Sequence, residues 1–303
     1  MTGTVNEAAS RQHFLGGLAI AVGGAILFSA KAIVAKLIYR YQVDAVTLIG
    51  FRMLFSLPIF AAVAYWKMKS SAPIDARDGI RIVLLGLLGY YLSSFLDFLG
   101  LQYITAGLER LILFLTPTFV LLMSVYFLGK KIGGREWLAL IASYIGIVLV
   151  FAHDVRGGGP NVALGAALVL GSAISYAVYL LLSGELVLRV GAMRLVAYAM
   201  CVSSVACIVQ FFIVHPAGVL IQPWEVYGLS MVNAVFCTVL PVFMTMIAVS
   251  RIGAPSASQA GMIGPVSTLF LGALILDEPV TAIQLAGTAL VLAGIYLLSR
   301  KKG

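Results

Sequence analysis

Apolar residues in this chain come in long unbroken blocks, near 15–38, 46–66, 80–101, 105–128, 136–152, 163–184, 194–214, 228–249, 256–276 and 283–299, separated by short polar stretches. Most blocks approach the roughly 20 residues a helix needs to cross about 30 Å of hydrocarbon, and the shortest hold about 17. Apolarity that is continuous rather than alternating selects helices over a barrel, because each span must satisfy its own backbone. The pattern predicts an all-α membrane protein with ten transmembrane helices.

Sliding the chain along itself by 148 residues lays the first five blocks over the last five. Gly17 then falls on Gly165, Gly23 on Gly171, Phe95 on Phe243, Ile104 on Ile252, Pro117 on Pro265 and Gly146 on Gly294. The chain therefore reads as a tail at 1–14, a five-helix repeat at 15–152, a linker at 153–162, a second repeat at 163–299 and a tail at 300–303. An odd number of spans per copy makes the second copy enter the membrane from the opposite side. The two become inverted repeats about an in-plane pseudo-two-fold axis, an arrangement that suits alternating access.

Composition agrees with lipid as the solvent: 61% of residues are hydrophobic, 11% are charged and the mean hydropathy is +1.05. The net charge of +8 follows topology rather than nucleic acid. With the N-terminus inside, the cytoplasmic ends and loops collect Lys67, Lys69, Arg77, Arg81, Lys130, Lys131, Arg135, Arg189, Arg194 and Arg251, against Arg40 and Arg156 outside. Both termini are expected to be cytoplasmic, and no polar segment is long enough to fold a nucleic-acid patch. The string Ala30-Lys31-Ala32 imitates a signal cleavage site, but apolar residues continue to Ile38, so an uncleaved first span is expected.

Cys201, Cys207 and Cys237 lie within spans without paired spacing and read as small buried hydrophobes. His13, His153 and His215 are scattered over segment ends, which argues against a metal or acid–base site. No Gly-Lys-Ser/Thr phosphate loop is present, and the Gly-rich run at 157–159 reads as a joint. No cofactor and no enzymatic activity are expected.

Function is sought in three features. Thr116-Pro117 in the fourth span and Gly264-Pro265 in the ninth interrupt their helices at matching points, and paired interruptions in inverted repeats point to the substrate pathway. Lys31, Arg52, Asp97, Glu109 and Arg110 lie well inside apolar blocks, all in the first copy and at similar depth. Each costs roughly 2.5 to 3.5 kcal/mol if left in lipid, so they should face the bundle interior, with Asp97 and Glu109 pairing with some of the three cations. Three roles stand open for this cluster: binding a substrate carboxylate through Arg, latching the outer gate, or static ion pairing with Lys31 and Lys36 snorkelling outward. From the second copy, Tyr179 stands at the position of Lys31, and Asn233 lies in an otherwise apolar block. Both are candidates for lining a central cavity. Small residues recur every fourth position as Gly17, Ala21, Ala25 and Ser29, which suits close helix packing. Those of the fifth and tenth spans, including Ala142, Gly146, Ala289 and Ala293, also suit a homodimer contact.

The ten-span plan, the stretch from Gly107-Leu108-Glu109-Arg110 through Thr116-Pro117-Thr118-Phe119, and the string Leu276-Asp277-Glu278-Pro279 resemble the drug/metabolite transporter superfamily, and most closely its EamA-type ten-helix exporters. The first copy departs from the acidic turn with Gly129-Lys130-Lys131. The resemblance implies a carrier of the bacterial inner membrane that exports an amino acid or related metabolite from a cavity between the halves. Its fold also supports flippases of lipid-linked head groups, and a membrane-embedded enzyme on such lipids is a further alternative.

Overall fold

The computed structural model describes residues 2–70, 73–129, 133–157 and 161–299. Outside these lie the loop residues Lys130 and Lys131, the Gly158-Gly159-Pro160 part of the linker and the tail 300–303. The side chains of Arg11, Arg135, Arg156 and Gln259 also fall outside.

Among the described residues all regular structure is helical. Seven stretches are long and apolar enough to cross a membrane: Phe14–Tyr39, Ala45–Lys69, Ala76–Leu101, Ala106–Phe127, Val162–Val190, Ala192–Val214 and Trp224–Gly253. Three shorter apolar helices, Leu140–Val155, Ile263–Leu276 and Ala282–Leu297, stand where the blocks 136–152, 256–276 and 283–299 predicted full spans. The chain is a multi-pass membrane protein, and its large exposed side chains, such as Leu188, Ile213 and Phe270, have lipid as their natural contact.

The elements of the first half are α1 (Thr2–Tyr39), α2 (Ala45–Lys69), α3 (Ala76–Gly86), a π-helical turn (Leu87–Leu92), α4 (Ser93–Leu101), α5 (Ala106–Leu113), α6 (Thr116–Leu128) and α7 (Gly134–Gly157). The second half holds α8 (Val162–Val190), α9 (Ala192–Val214), α10 (Trp224–Ala234), a second π turn (Val235–Val239), α11 (Leu240–Gly261), α12 (Ile263–Leu276) and α13 (Ala282–Ser299). Local chemistry sets several boundaries. The Asp44 side chain accepts from Thr47 N at 2.7 Å to start α2, and Thr105 does the same from Leu108 N at 3.1 Å for α5. Within α11 the chain turns at Gly253, whose φ of 78° is open to glycine without strain.

Landmarks recur at the offset of 148 residues. Ala76 and Trp224 open α3 and α10, Leu87 and Val235 open the π turns, Leu113 and Gly261 close α5 and α11, and Gly134 and Ala282 open α7 and α13. The left-handed residues Gly129 and Asp277, which end α6 and α12, are related in the same way. Packing repeats with them. Helix α1 rests on α11 and α12 as α8 rests on α4 and α6; α2 meets α10 as α9 meets α3; and the pairs α2·α9 and α7·α13 map onto themselves.

Two of these contacts bring backbones together. A Cβ added at Gly100 in α4 would stand 2.6 Å from the carbonyl oxygen of Gly165 in α8, and one at Gly146 in α7 would stand 2.6 Å from that of Gly287 in α13. In lipid, where apolar burial gives helices no preference for one another, such close approach is a main source of association.

The linker differs from expectation. Helix α7 continues through His153-Asp154 to Gly157, and Asp154 accepts a hydrogen bond from Thr105 Oγ1 at 3.0 Å. That bond ties the helix end to the start of α5 and lets the polar residues extend the helix rather than end it.

Candidate functional site

The five buried charges gather where α1, α2, α4 and α5 meet. Lys31 is 6% exposed, Arg52 4%, Asp97 3%, Glu109 0% and Arg110 6%. The Lys31 ammonium lies 2.5 Å from Asp97 Oδ2 and 3.4 Å from Glu109 Oε1, so two carboxylates share one cation. Neither Lys31 nor its charge snorkels to a surface. Among the described residues neither arginine has a carboxylate within ion-pair distance. Arg52 Nη2 donates to Ser94 Oγ at 3.4 Å and Arg110 Nη2 to Ser29 Oγ at 3.3 Å, while both Nε groups are buried without an acceptor.

Aromatic rings stand where counter-ions are missing. Lys31 and Arg110 lie over the Phe28 ring at 5.3 and 4.9 Å from its centroid, and Lys31 and Arg52 lie over Phe98 at 5.2 and 4.8 Å. The order Arg110, Phe28, Lys31, Phe98, Arg52 thus alternates cation and ring. Each ring presents negative quadrupole density to two cations, worth about 2 kcal/mol or more where water is excluded. Sequence reasoning passed over both phenylalanines. The available signal was their spacing, with Phe28 one helical turn before Lys31 and Phe98 next to Asp97.

The second half closes this cluster. Asn233 Nδ2 donates to the Lys31 carbonyl at 3.3 Å, and Asn233 is fully buried with Oδ1 unpartnered. Ser29 Oγ donates within its own helix to the Ala25 carbonyl at 2.7 Å and stands 3.1 Å from the Gly264 carbonyl. Gly264 lies so near Arg110 that an added Cβ would stand 2.7 Å from Nη2. In addition, Glu278 from the acidic turn after α12 accepts from Ala106 N, in the first turn of α5, at 3.2 Å. That turn therefore caps a helix of the other half, a role the sequence did not reveal.

The helix interruptions sit slightly ahead of their prolines. The break in the fourth span falls at Phe114–Leu115, so Thr116 and Pro117 form the first turn of α6, and the counterpart falls at Met262, with Gly264 and Pro265 in the first turn of α12. Proline is tolerated in a first turn because its missing N–H has no helical partner there. The carbonyl of Leu113, four residues before Pro117, is taken instead by Thr116 Oγ1 at 2.7 Å.

Tyr179 lies apart from the charges. Its hydroxyl is 3.2 Å from that of Tyr90, its ring stacks on Tyr176 with centroids 5.5 Å apart, and it fills the space beside Gly89 in the first π turn. The side chain is 4% exposed and packed with Ile82, Leu186 and Leu195. Tyr179→Phe should therefore lower stability by no more than about 1 kcal/mol in thermal unfolding, since one weak hydroxyl contact is lost and the ring remains. The three cysteines are free thiols.

Comparison with known proteins adds a family. The model of the EamA-like transporter family matches residues 15–152 and again 163–300. The chain is 31% identical to "Uncharacterized transporter YcbK" of Bacillus subtilis (strain 168), covering 93% of this chain and 90% of that protein. An "Uncharacterized transporter" of Archaeoglobus fulgidus is 26% identical, over 76% of this chain and 80% of its own. A crystal structure titled only as that of a protein superposes with a TM-score of 0.64 at 14% identity, over 93% of this chain and 96% of that one, which establishes a shared fold.

Proposed function

Because this chain belongs to the EamA-like transporter family, we propose that it is a ten-span carrier of two inverted repeats. It exports a small organic metabolite, an amino acid or a relative of one, across the bacterial inner membrane, with both termini in the cytoplasm. Transport is facilitative or driven by an existing gradient and proceeds by alternating access. The pseudo-symmetric exchange of helix contacts supports two halves that rock against each other.

One observation carries the mechanism. The charged cluster belongs to the first half, yet bonds at and beside it cross to the second, from Asn233 to Lys31 and from Ala106 to Glu278, with Ser29 Oγ 3.1 Å from the Gly264 carbonyl. These bonds cannot persist if the halves separate at this end. The cluster is the latch that holds the outer side shut, with Lys31 between Asp97 and Glu109 at its centre. Nothing in the second half repeats it, since Tyr179, Thr245 and Ala257 occupy the places of Lys31, Asp97 and Glu109.

The test is flux through proteoliposomes loaded with labelled amino acids. Saturable efflux, accelerated by the same solute on the far side, is the expected result. Absence of any solute flux, with transfer of labelled lipid-linked head groups between leaflets instead, would replace the carrier by a flippase.

A further inference from the structure

Arg110 is a buried cation whose protein partners do not account for it. The guanidinium has five N–H groups, and among the described residues it finds one acceptor, Ser29 Oγ at 3.3 Å. Among the same residues its buried Nε has no partner. Its sequence neighbour Glu109 turns to Lys31 instead. The cluster holds three cations and two carboxylates, and both carboxylates face Lys31. A charge desolvated to this degree without a counter-ion is a standing cost that a bound anion would remove.

Position singles out Arg110 over Arg52. Arg52 donates to Ser94 and lies over Phe98, both in the first half. Arg110 instead lies against the interruption before α12. An added Cβ at Gly264 would stand 2.7 Å from Nη2 and 3.2 Å from Nε, so the edge of the guanidinium that carries both atoms faces bare glycine backbone in the second half. The Gly264 carbonyl accepts instead from Thr268 Oγ1 at 3.1 Å, with Ser29 Oγ at the same distance. That edge is the pair of parallel donors that a carboxylate matches with two hydrogen bonds. Phe28 and Phe114, with centroids 4.9 and 5.3 Å from Cζ, limit where the guanidinium can go.

We propose that Arg110 is the anchor for a carboxylate on the transported solute. The carboxylate takes the Nε/Nη2 edge when Gly264 withdraws on opening. This inference rests on the carrier reading and narrows it to solutes that bear a carboxylate. It also separates the neighbours Glu109 and Arg110, the first serving the latch and the second the cargo.

Heating the purified full-length protein with acetate, benzoate, each of the twenty L-amino acids and the matching amino-acid amides tests it directly. At least one carboxylate should raise Tm by about 5 °C at saturation, while its amide leaves Tm unchanged. Arg110→Gln should abolish that shift, and Gly184→Ala, whose added Cβ meets nothing within 4 Å, should keep it. In proteoliposomes Arg110→Lys should raise the KM of the same solute about 30-fold with little change in maximal rate, since the charge remains and the two-pronged edge is lost. That variant also decides the matter if Arg110→Gln does not fold. The inference is overturned if no carboxylate shifts Tm, if amides shift it equally, or if Arg110→Lys transports with unchanged KM. Flux confined to uncharged solutes would sink the inference and leave the carrier standing, whereas absence of all flux would sink the carrier itself.

Discussion

Lys31→Met should destabilise the folded protein by roughly 3–5 kcal/mol, the cost of leaving a buried charge without its partner. Lys31 is the cation nearest to both carboxylates, and Asp97 and Glu109 are 3% and 0% exposed. Without the ammonium, two buried carboxyl groups are left facing each other with no hydrogen-bond donor to replace it. Among the described residues Asp97 Oδ1 and both Glu109 oxygens already lack hydrogen-bond partners. The double variant Lys31→Met/Asp97→Asn should recover a large part of the loss, because one anion leaves with the cation. A thermal-melting cycle over the wild type, the two single variants and the double measures the coupling, which should exceed about 1 kcal/mol for groups in direct contact. Additive losses would mean that the 2.5 Å pair contributes nothing as a pair. If the pair also latches the outer side, any Lys31→Met protein that folds should leak solute down its gradient faster than wild type.

Gly100→Leu should prevent assembly of the bundle altogether. Even the single Cβ of alanine would lie 2.6 Å from Gly165 O and 2.7 Å from a Val169 methyl, and backbone on both sides cannot step aside as a side chain can. Overpacking a core commonly costs 1–3 kcal/mol, and a branched side chain driven between two backbones exceeds that. Loss of the monodisperse peak in size-exclusion chromatography is the readout. Gly184→Ala is the matched control, because nothing lies within 4 Å of its added Cβ. In a helix interior that change gains roughly 0.5–1 kcal/mol in propensity. A folded, well-behaved Gly100→Leu protein would show that α4 and α8 do not depend on this close approach.

Much of the plan was legible in the chain because it was written twice. Gly, Pro and hydrophobic boundaries recur at one spacing, and the helix starts at Ala76 and Trp224 and the left-handed residues Gly129 and Asp277 keep it. The buried charges were legible as well, since ionisable groups inside apolar blocks have few places to go. The π turns at Leu87–Leu92 and Val235–Val239 were not. A π turn uses the same apolar residues as an α turn, so the hydrophobic pattern does not distinguish them. The helix breaks were displaced by two or three residues from the prolines that announced them, because Pro117 and Pro265 start helices rather than interrupt them. The bonds from Asn233 to Lys31 and from Glu278 to Ala106 join residues 202 and 172 positions apart, beyond the reach of any local pattern.

The alternation of Phe28 and Phe98 with Lys31, Arg52 and Arg110 has a consequence for what can replace either ring. An aliphatic side chain of similar volume fills the same space but carries no quadrupole. Each phenylalanine serves two cations, so a single exchange of that kind withdraws support from both neighbours at once.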